Sequence, residues 1–183
     1  MEAAIVMSKR NINLLIALAL IALAVSLRVL PHPANFAPIA AIAIFGGAIL
    51  PRRAAIWLPL GAMIISDLII GWHNLIPITW GCYVLIALTS SYWMKKPSFG
   101  RGLALVMSSS VFFFVLTNFG VWVWSGMYAH SLSGLAQCYS LALPFFRNTA
   151  LSDLVYTGAL FGIYALATQV TARFVQSPNT PSA

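Results

Sequence analysis

Two cysteines are the side chains in this sequence with the widest chemical range. Cys82 lies between Gly81 and Tyr83, and Cys138 is likewise followed by a tyrosine. A thiolate is a soft ligand that suits late transition metals, so either cysteine could bind a metal centre. Most free cysteines in membrane proteins are inert small apolar side chains, and a Cys82–Cys138 disulfide is a further alternative. The residues alone leave these three readings open.

Two aspartates lie within apolar segments of the chain. Asp67 is embedded in the run 64–70, and Asp153 lies in the first turn of a predicted helix. A carboxylate at the centre of a bilayer costs about 2.5–3.5 kcal/mol on insertion scales, so such residues are functional candidates by default. We predict that Asp67 binds a polar ligand group, with pairing to Arg28 as the structural alternative. Asp153 either complements the helix N-terminus or contacts the ligand.

Six apolar segments must position these side chains. Charged residues make up only 7% of the 183 residues and hydrophobic residues 61%, whereas soluble domains carry about 25% charged residues. The sequence therefore predicts an all-α integral membrane protein, with residues 1–176 as one transmembrane domain and 177–183 as a disordered tail. Prolines, glycines and charges delimit predicted helices at 12–30, 37–50, 54–71, 77–94, 103–124 and 149–174.

The basic residues predict the orientation of these helices. Arg28 and Arg147 fall on one side of the predicted membrane, and the other eight Lys and Arg residues fall on the opposite side. The positive-inside rule makes the second side cytoplasmic, and six crossings place both termini there. The bases stand in pairs between apolar runs and no nucleic-acid motif accompanies them, so we expect a lipid bilayer and no nucleic acid as partner.

The outer side carries most of the unusual polar chemistry, in the segments 31–36, 72–76 and 125–148 and in the adjoining helix ends. A pocket that opens outward is therefore predicted. Arg147 either pairs with Asp153 or meets an anionic ligand group, and the histidines lack the spacing of a zinc site. The ligand-binding candidates on this side are His32, Asn35, Asp67, Tyr83, Asn118, Arg147 and Asp153.

Three runs of the sequence, at 31–41, 66–73 and 142–149, carry a resemblance to a known family. They read Pro-His-Pro-Ala-Asn-Phe-Ala-Pro-Ile-Ala-Ala, Ser-Asp-Leu-Ile-Ile-Gly-Trp-His and Ala-Leu-Pro-Phe-Phe-Arg-Asn-Thr. Together they resemble the substrate-binding S components of energy-coupling-factor vitamin transporters, and among these the solitary cobalamin-specific members. The resemblance covers most of residues 12–174.

The resemblance implies an S-component-like bundle in the bacterial cytoplasmic membrane, with cobalamin as the transported ligand. It also implies Cys82 as the cobalt ligand and as the residue that promotes loss of cyanide from cyanocobalamin. One departure concerns the Ala-x-x-x-Ala pattern of helix one, where only the pair Ala22/Ser26 remains. That departure argues against the standard coupling ATPase module and agrees with a solitary transporter.

Three alternatives to cobalamin uptake remain at this stage. The chain could be an S component for another vitamin, such as a flavin or a corrinoid precursor. It could instead be a haem-binding membrane redox protein that uses the outer histidines. A structural membrane subunit would bind no ligand and would tolerate substitutions in the predicted pocket.

Overall fold

The computed structural model of the chain describes residues 9–95 and 98–175, and these residues form six helices and their connections, with no strand. The predicted all-α class is thereby confirmed for these residues. Lys96 and the predicted tail at 177–183 lie outside the described residues. The helices are α1 (Lys9–Val29), α2 (Ile39–Ile49), α3 (Arg52–Ile70), α4 (Ile76–Trp93), α5 (Phe99–Trp124) and α6 (Leu132–Val175).

Four of these helices, α1, α3, α5 and α6, are long and apolar enough to cross a membrane. The surface around the sides of the bundle is also apolar, with exposed leucines and isoleucines such as Leu18, Ile163 and Leu166. Contiguous apolar surface of this kind is unfavourable in water and is what a lipid-facing helix presents. The chain therefore has the helices of a membrane protein.

Helix α2 lies at the centre of the bundle and is short. It has 11 residues, about 16 Å at ~1.5 Å per residue, and residues 39–47 are all buried. Gly47 lets α2 approach α4 closely, because an added Cβ would come within 2.5 Å of the Ala87 carbonyl oxygen. The Ser90 hydroxyl of α4 donates to the Ile44 carbonyl oxygen at 2.6 Å and strengthens the same contact.

The C-terminal ends of α1 and α3 lie beside the N-terminal end of α4, where Arg28, Asp67 and Trp80 are in contact. We call this end of the bundle the outer end. Helix α3 begins with Arg52 at the opposite end, where the guanidinium lies 4.2 Å from the centre of the Tyr92 ring. The described bases other than Arg28 and Arg147 therefore collect away from the outer end, as the charge pattern predicts.

Helix six differs most from the sequence prediction. The segment 125–148 was expected to be an outer loop, but α6 begins at Leu132 and runs through Pro144. Its first half packs on α5, where the Tyr139 hydroxyl donates to the Val115 carbonyl oxygen at 2.7 Å and Phe114 contacts two aromatic rings. A proline in a membrane helix removes one hydrogen bond and is tolerated when neighbouring helices pack against it. The outer loop is thus reduced to residues 125–131.

The segment between α1 and α2 packs into the bundle beside α6. The Asn148 amide donates to the Ala34 carbonyl oxygen at 2.9 Å, and the Ser152 hydroxyl donates to the Ala37 carbonyl oxygen at 3.0 Å. Irregular backbone inside a membrane bundle requires such partners, because lipid offers none. The segment therefore reaches well below the outer ends of α5 and α6, and α2 starts only beneath it.

Candidate functional site

A cavity of about 550 Å³, which we call the outer cavity, lies at the outer end above the start of α2. Ala37, Ile39 and Ala40 at the start of α2 contribute part of its wall. A volume of this size suits a drug-sized ligand and is usual for binding pockets. Its polar lining side chains are Arg28, His32, Asn35, His73, Thr79, Tyr83, Thr149 and Asp153.

Four of the predicted ligand-binding residues line the outer cavity, namely His32, Asn35, Tyr83 and Asp153. They come from the α1–α2 segment, from α4 and from α6, so the fold brings together residues that lie far apart in sequence. Asn35 has a φ of 60°, a left-handed conformation that asparagine tolerates better than most residues. The outward pocket predicted from the polar segments therefore has a counterpart in the structure.

Asp67 is fully buried but does not line the outer cavity. One carboxylate oxygen accepts from the Arg28 Nη1 at 2.5 Å, and the other accepts from the Trp80 indole nitrogen at 2.8 Å. Arg28 also donates to the Ser66 hydroxyl, and it lines the cavity itself. Asp67 thus holds Arg28 at the cavity wall, which matches the structural alternative considered for this residue.

The His73 side chain lies near the same ion pair. Its Nε2 is 4.0 Å from the Asp67 carboxylate, and 39% of the side chain is exposed. His73 also lines the outer cavity. His73 therefore places a polar ring close to the Arg28–Asp67 pair on the wall of the cavity.

Asp153 lies well inside α6, not in the first turn of a helix as the sequence predicted, because α6 begins at Leu132. Its side chain is buried, and the Ser110 hydroxyl of α5 lies 2.6 Å from its Oδ2. The predicted pairing with Arg147 is not seen, since Arg147 is exposed and lines neither this cavity nor its neighbour. Asp153 reaches the cavity without a cationic partner among the described residues.

An aromatic wall closes one side of the outer cavity. The rings of Tyr83 on α4 and Phe113 on α5 stack with their centres 5.0 Å apart and their planes 25° apart. Both residues line the cavity. A planar ligand could lie against such a wall, because offset stacking of flat rings is favourable.

A second cavity of about 340 Å³ adjoins the first and shares Asn35, Thr79 and Phe113 with it. We call it the side cavity. Asn118 and Cys138 line it, and the Cys138 thiol donates to the Asn118 carbonyl oxygen at 3.4 Å. The predicted ligand residue Asn118 is therefore placed in the side cavity rather than with the others.

Cys82 lines neither the outer cavity nor the side cavity, and only 1% of the residue is exposed. It lies three residues after Thr79 and one before Tyr83, both of which line the outer cavity. Residues three apart share one face of a helix, so Cys82 lies on the edge of the lining face of α4. Both cysteines are free, so the structure contains no Cys82–Cys138 disulfide.

Arg28 and Phe113 are site residues that the sequence predictions did not name as ligand contacts. A signal for Arg28 existed, because it is a basic residue at the end of an apolar helix on the side poor in bases. Phe113 carried no signal, since it is one of three consecutive phenylalanines in an apolar helix. Among the described residues, no group of three or more His, Cys, Asp or Glu side chains could hold a metal ion.

A protein-family model matches residues 8–177, which include all six described helices, and it is described as a family of unknown function (DUF6580). No curated protein and no solved structure matches the chain.

Proposed function

We propose, for a chain that belongs to the DUF6580 family, a function in the binding and uptake of cobalamin across the bacterial cytoplasmic membrane. The observation that carries this proposal is the outer cavity, where polar side chains from five segments of an otherwise apolar helical bundle converge, among them the buried Thr149 and Asp153. Polar groups are costly in lipid, so their convergence on one cavity indicates a ligand with many hydrogen-bonding groups. The resemblance to the cobalamin-specific S components supports a corrinoid as the proposed ligand.

A membrane topology with six crossings supports uptake from outside. Besides the four long apolar helices, α4 would form the fifth crossing. Helix α2, together with the segment that packs above it, would form the sixth. The basic residues of the end opposite the cavity mark that end as cytoplasmic. Both termini then lie in the cytoplasm, and the outer cavity opens away from it.

Because cobalamin is large, the cavities must change shape when it binds. A corrinoid is much larger than a drug-sized molecule, so the outer cavity alone would hold only part of it. The side cavity adds about 340 Å³, and the shared residues Asn35, Thr79 and Phe113 form the partition between the two. We propose that these side chains move apart when cobalamin binds, and that the macrocycle then lies against Tyr83.

Cobalt ligation depends on the same movement. Cys82 lies on the edge of the lining face of α4, so displacement of the partition beside Thr79 would expose its sulfur to the bound corrin. A solitary protein also suits the proposal, because helix one lacks the Ala-x-x-x-Ala pattern that contacts a coupling ATPase module. In this proposal cobalamin is the transported ligand, and Cys82 supplies a ligand to its cobalt.

The proposal is tested by the absorption spectrum of protein purified from cells supplied with cobalamin. We expect a bound corrinoid, and calorimetry with cyanocobalamin should show weaker binding for Tyr83→Leu because the stacking wall is removed. Leu85→Ala, which changes an exposed residue of the same helix away from the cavity, serves as the control. Protein that neither carries a corrinoid nor binds cyanocobalamin would contradict the proposal.

A haem-binding redox protein is the second candidate function. Two histidines, His32 and His73, line the outer cavity, and histidine is a common axial ligand of haem iron. The same purification separates the two candidates, because bound haem gives a different absorption spectrum. A haem spectrum that disappears in His32→Ala and His73→Ala would favour the second candidate.

The proposed orientation makes a separate prediction about accessibility. In a variant with Cys82→Ser and Cys138→Ser, we expect His32→Cys to react with a membrane-impermeant maleimide added to intact spheroplasts. Arg52→Cys, at the opposite end, should react only after the membrane is permeabilised. His32 is preferred to Asn35 for this test because cysteine would be strained at the φ of 60° found at Asn35. If only Arg52→Cys were labelled from outside, the orientation of the protein would be the opposite of the one proposed.

A further inference from the structure

We propose that Asp153 is a proton-binding site whose protonation is coupled to occupancy of the outer cavity, so that a proton gradient drives uptake. The coupling rests on the proposed transport function, whereas proton binding at Asp153 does not. In this proposal the proton gradient supplies the energy, Asp153 binds the proton, and no ATPase partner is required.

The surroundings of Asp153 differ from those of the other buried aspartate. Asp67 is neutralised by Arg28 and also accepts from Trp80, so its charge is compensated within the protein. Asp153 is 2% exposed, and its hydrogen bond is to the neutral hydroxyl of Ser110. A buried carboxylate without a cation is costly when ionised, and taking up a proton removes that cost.

The Ser110 hydroxyl can form a hydrogen bond with Asp153 in both protonation states of the aspartate. Its oxygen lies 2.6 Å from Asp153 Oδ2 and 3.1 Å from the Val106 carbonyl oxygen, yet a hydroxyl has one hydrogen to donate. When Asp153 is ionised, Ser110 donates to the carboxylate. When Asp153 is protonated, the acid donates to Ser110, which in turn donates to Val106. Rotation of one hydroxyl therefore accommodates gain or loss of the proton.

The position of this pair is suited to transfer between the two sides. Asp153 lines the outer cavity, while Val106 and Thr157 line a third cavity of about 360 Å³ toward the cytoplasmic ends of α5 and α6. Thr157 lies one helical turn beyond Asp153, and its buried hydroxyl has no hydrogen-bond partner among the described residues. Asp153 and the hydroxyls of Ser110 and Thr157 thus lie between the outer cavity and the third cavity.

Other groups that could titrate near Asp153 must be considered with it. Arg28 on α1, His32 on the α1–α2 segment, His73 on the α3–α4 connection and Tyr83 on α4 line the same cavity, and Cys82 adjoins Tyr83. Helix α5 contributes the neutral Ser110, and α2 has no titratable side chain. The two histidines line the same cavity as Asp153, so they require their own variants.

The direction of coupling follows from access to water. Asp153 lines the outer cavity, so a ligand that fills this cavity would exclude water from the carboxylate. Loss of water disfavours the charged form, so the ligand and the proton should bind together. Linkage then requires affinity to rise as pH falls, by at most about tenfold per pH unit while the empty protein takes up one proton per ligand.

Infrared difference spectroscopy of the full chain in lipid tests proton binding without any ligand. We expect a carboxylic-acid carbonyl band that titrates with pH, is lost in Asp153→Asn and is shifted in Ser110→Ala. Ser109→Ala, which changes the buried neighbouring hydroxyl, should leave the band unchanged, as should His32→Gln and His73→Gln. Absence of an Asp153 band at every pH at which the protein stays folded would overturn the proposal.

Transport measurements test the coupling. In liposomes containing the wild-type protein, uptake of cyanocobalamin should rise when the outside is made acidic, and an equivalent sodium gradient at equal pH should have no effect. Asp153→Asn should lose this stimulation, whereas Ser109→Ala, which changes a buried hydroxyl outside the outer cavity, should keep it. An intact stimulation in Asp153→Asn would refute the coupling, whereas absence of cyanocobalamin binding to wild type would refute the proposed function and leave the infrared result standing.

Discussion

Replacement of Arg28 by methionine is expected to lower the free energy of unfolding by about 3–5 kcal/mol, because it leaves a buried charge unpaired. Asp67 has no exposed surface, and Arg28 supplies its cationic partner at 2.5 Å. Methionine keeps the apolar length of the arginine stem, so the packing of α1 against α3 changes little. The loss should appear in chemical unfolding of the purified protein in mixed micelles.

The double variant Arg28→Met/Asp67→Leu isolates the charge effect. Since the uncompensated carboxylate is then absent, we expect it to recover much of the stability that the single variant loses. Arg147→Met is the control, because Arg147 is exposed and has no ion pair within the described part of the chain. Equal losses for Arg28→Met and Arg147→Met would show that the Arg28–Asp67 pair does not hold α1 and α3 together.

Under the proposed function, ligation of cobalt by Cys82 would alter the absorption spectrum of the bound corrinoid. Replacement of Cys82 by serine is then expected to abolish this change and the proposed loss of cyanide from bound cyanocobalamin. A thiolate below the cobalt is a soft donor, and its electron donation weakens the bond to cyanide on the opposite face. Serine has nearly the same size but is a harder and far less acidic donor. Contacts of the ring amides with the outer cavity should preserve part of the affinity.

Cys138→Ser is the matched variant for this experiment, because it tests which of the two cysteines binds the cobalt. Cys138 already lines the side cavity, whereas Cys82 is buried at the edge of the lining face of α4 and lines neither cavity. If the bound cobalt were held by the cysteine nearest to open space, Cys138→Ser would remove the altered spectrum and Cys82→Ser would retain it. We expect the opposite result, measured as absorbance spectra of the two variants after incubation with cyanocobalamin.

Much of the helical architecture follows from local sequence. The first five helices lie within four residues of their predicted bounds, because prolines, glycines and charges interrupt the apolar runs where the helices end. Helix α5 starts earlier than predicted since Ser98 caps it by accepting from the Arg101 backbone nitrogen. Helix six was misjudged because Pro144, Arg147 and Asn148 are typical of a loop in isolation. Packing of the preceding turns on α5 keeps them helical.

The site could be predicted only in part, for a physical reason. Polar residues concentrated near the outer side identified His32, Asn35, Tyr83 and Asp153 as neighbours of one pocket. Whether a buried aspartate faces a cavity or a cation depends on the rotation and depth of its helix, which local patterns do not determine. Asp67 and Asp153 share the same neighbouring residues, Ser and Leu, yet one has an arginine partner and the other a hydroxyl.

The shortness of α2 has an electrical consequence for a bundle that spans a bilayer. Solution that fills the outer cavity reaches the start of α2, so the insulating layer there is about 16 Å thick instead of the usual ~30 Å. The membrane voltage then falls mainly across this thin layer. A charge carried past α2 would traverse nearly the whole voltage, about 2.3 kcal/mol per 100 mV, in a movement only half as long as the membrane is thick.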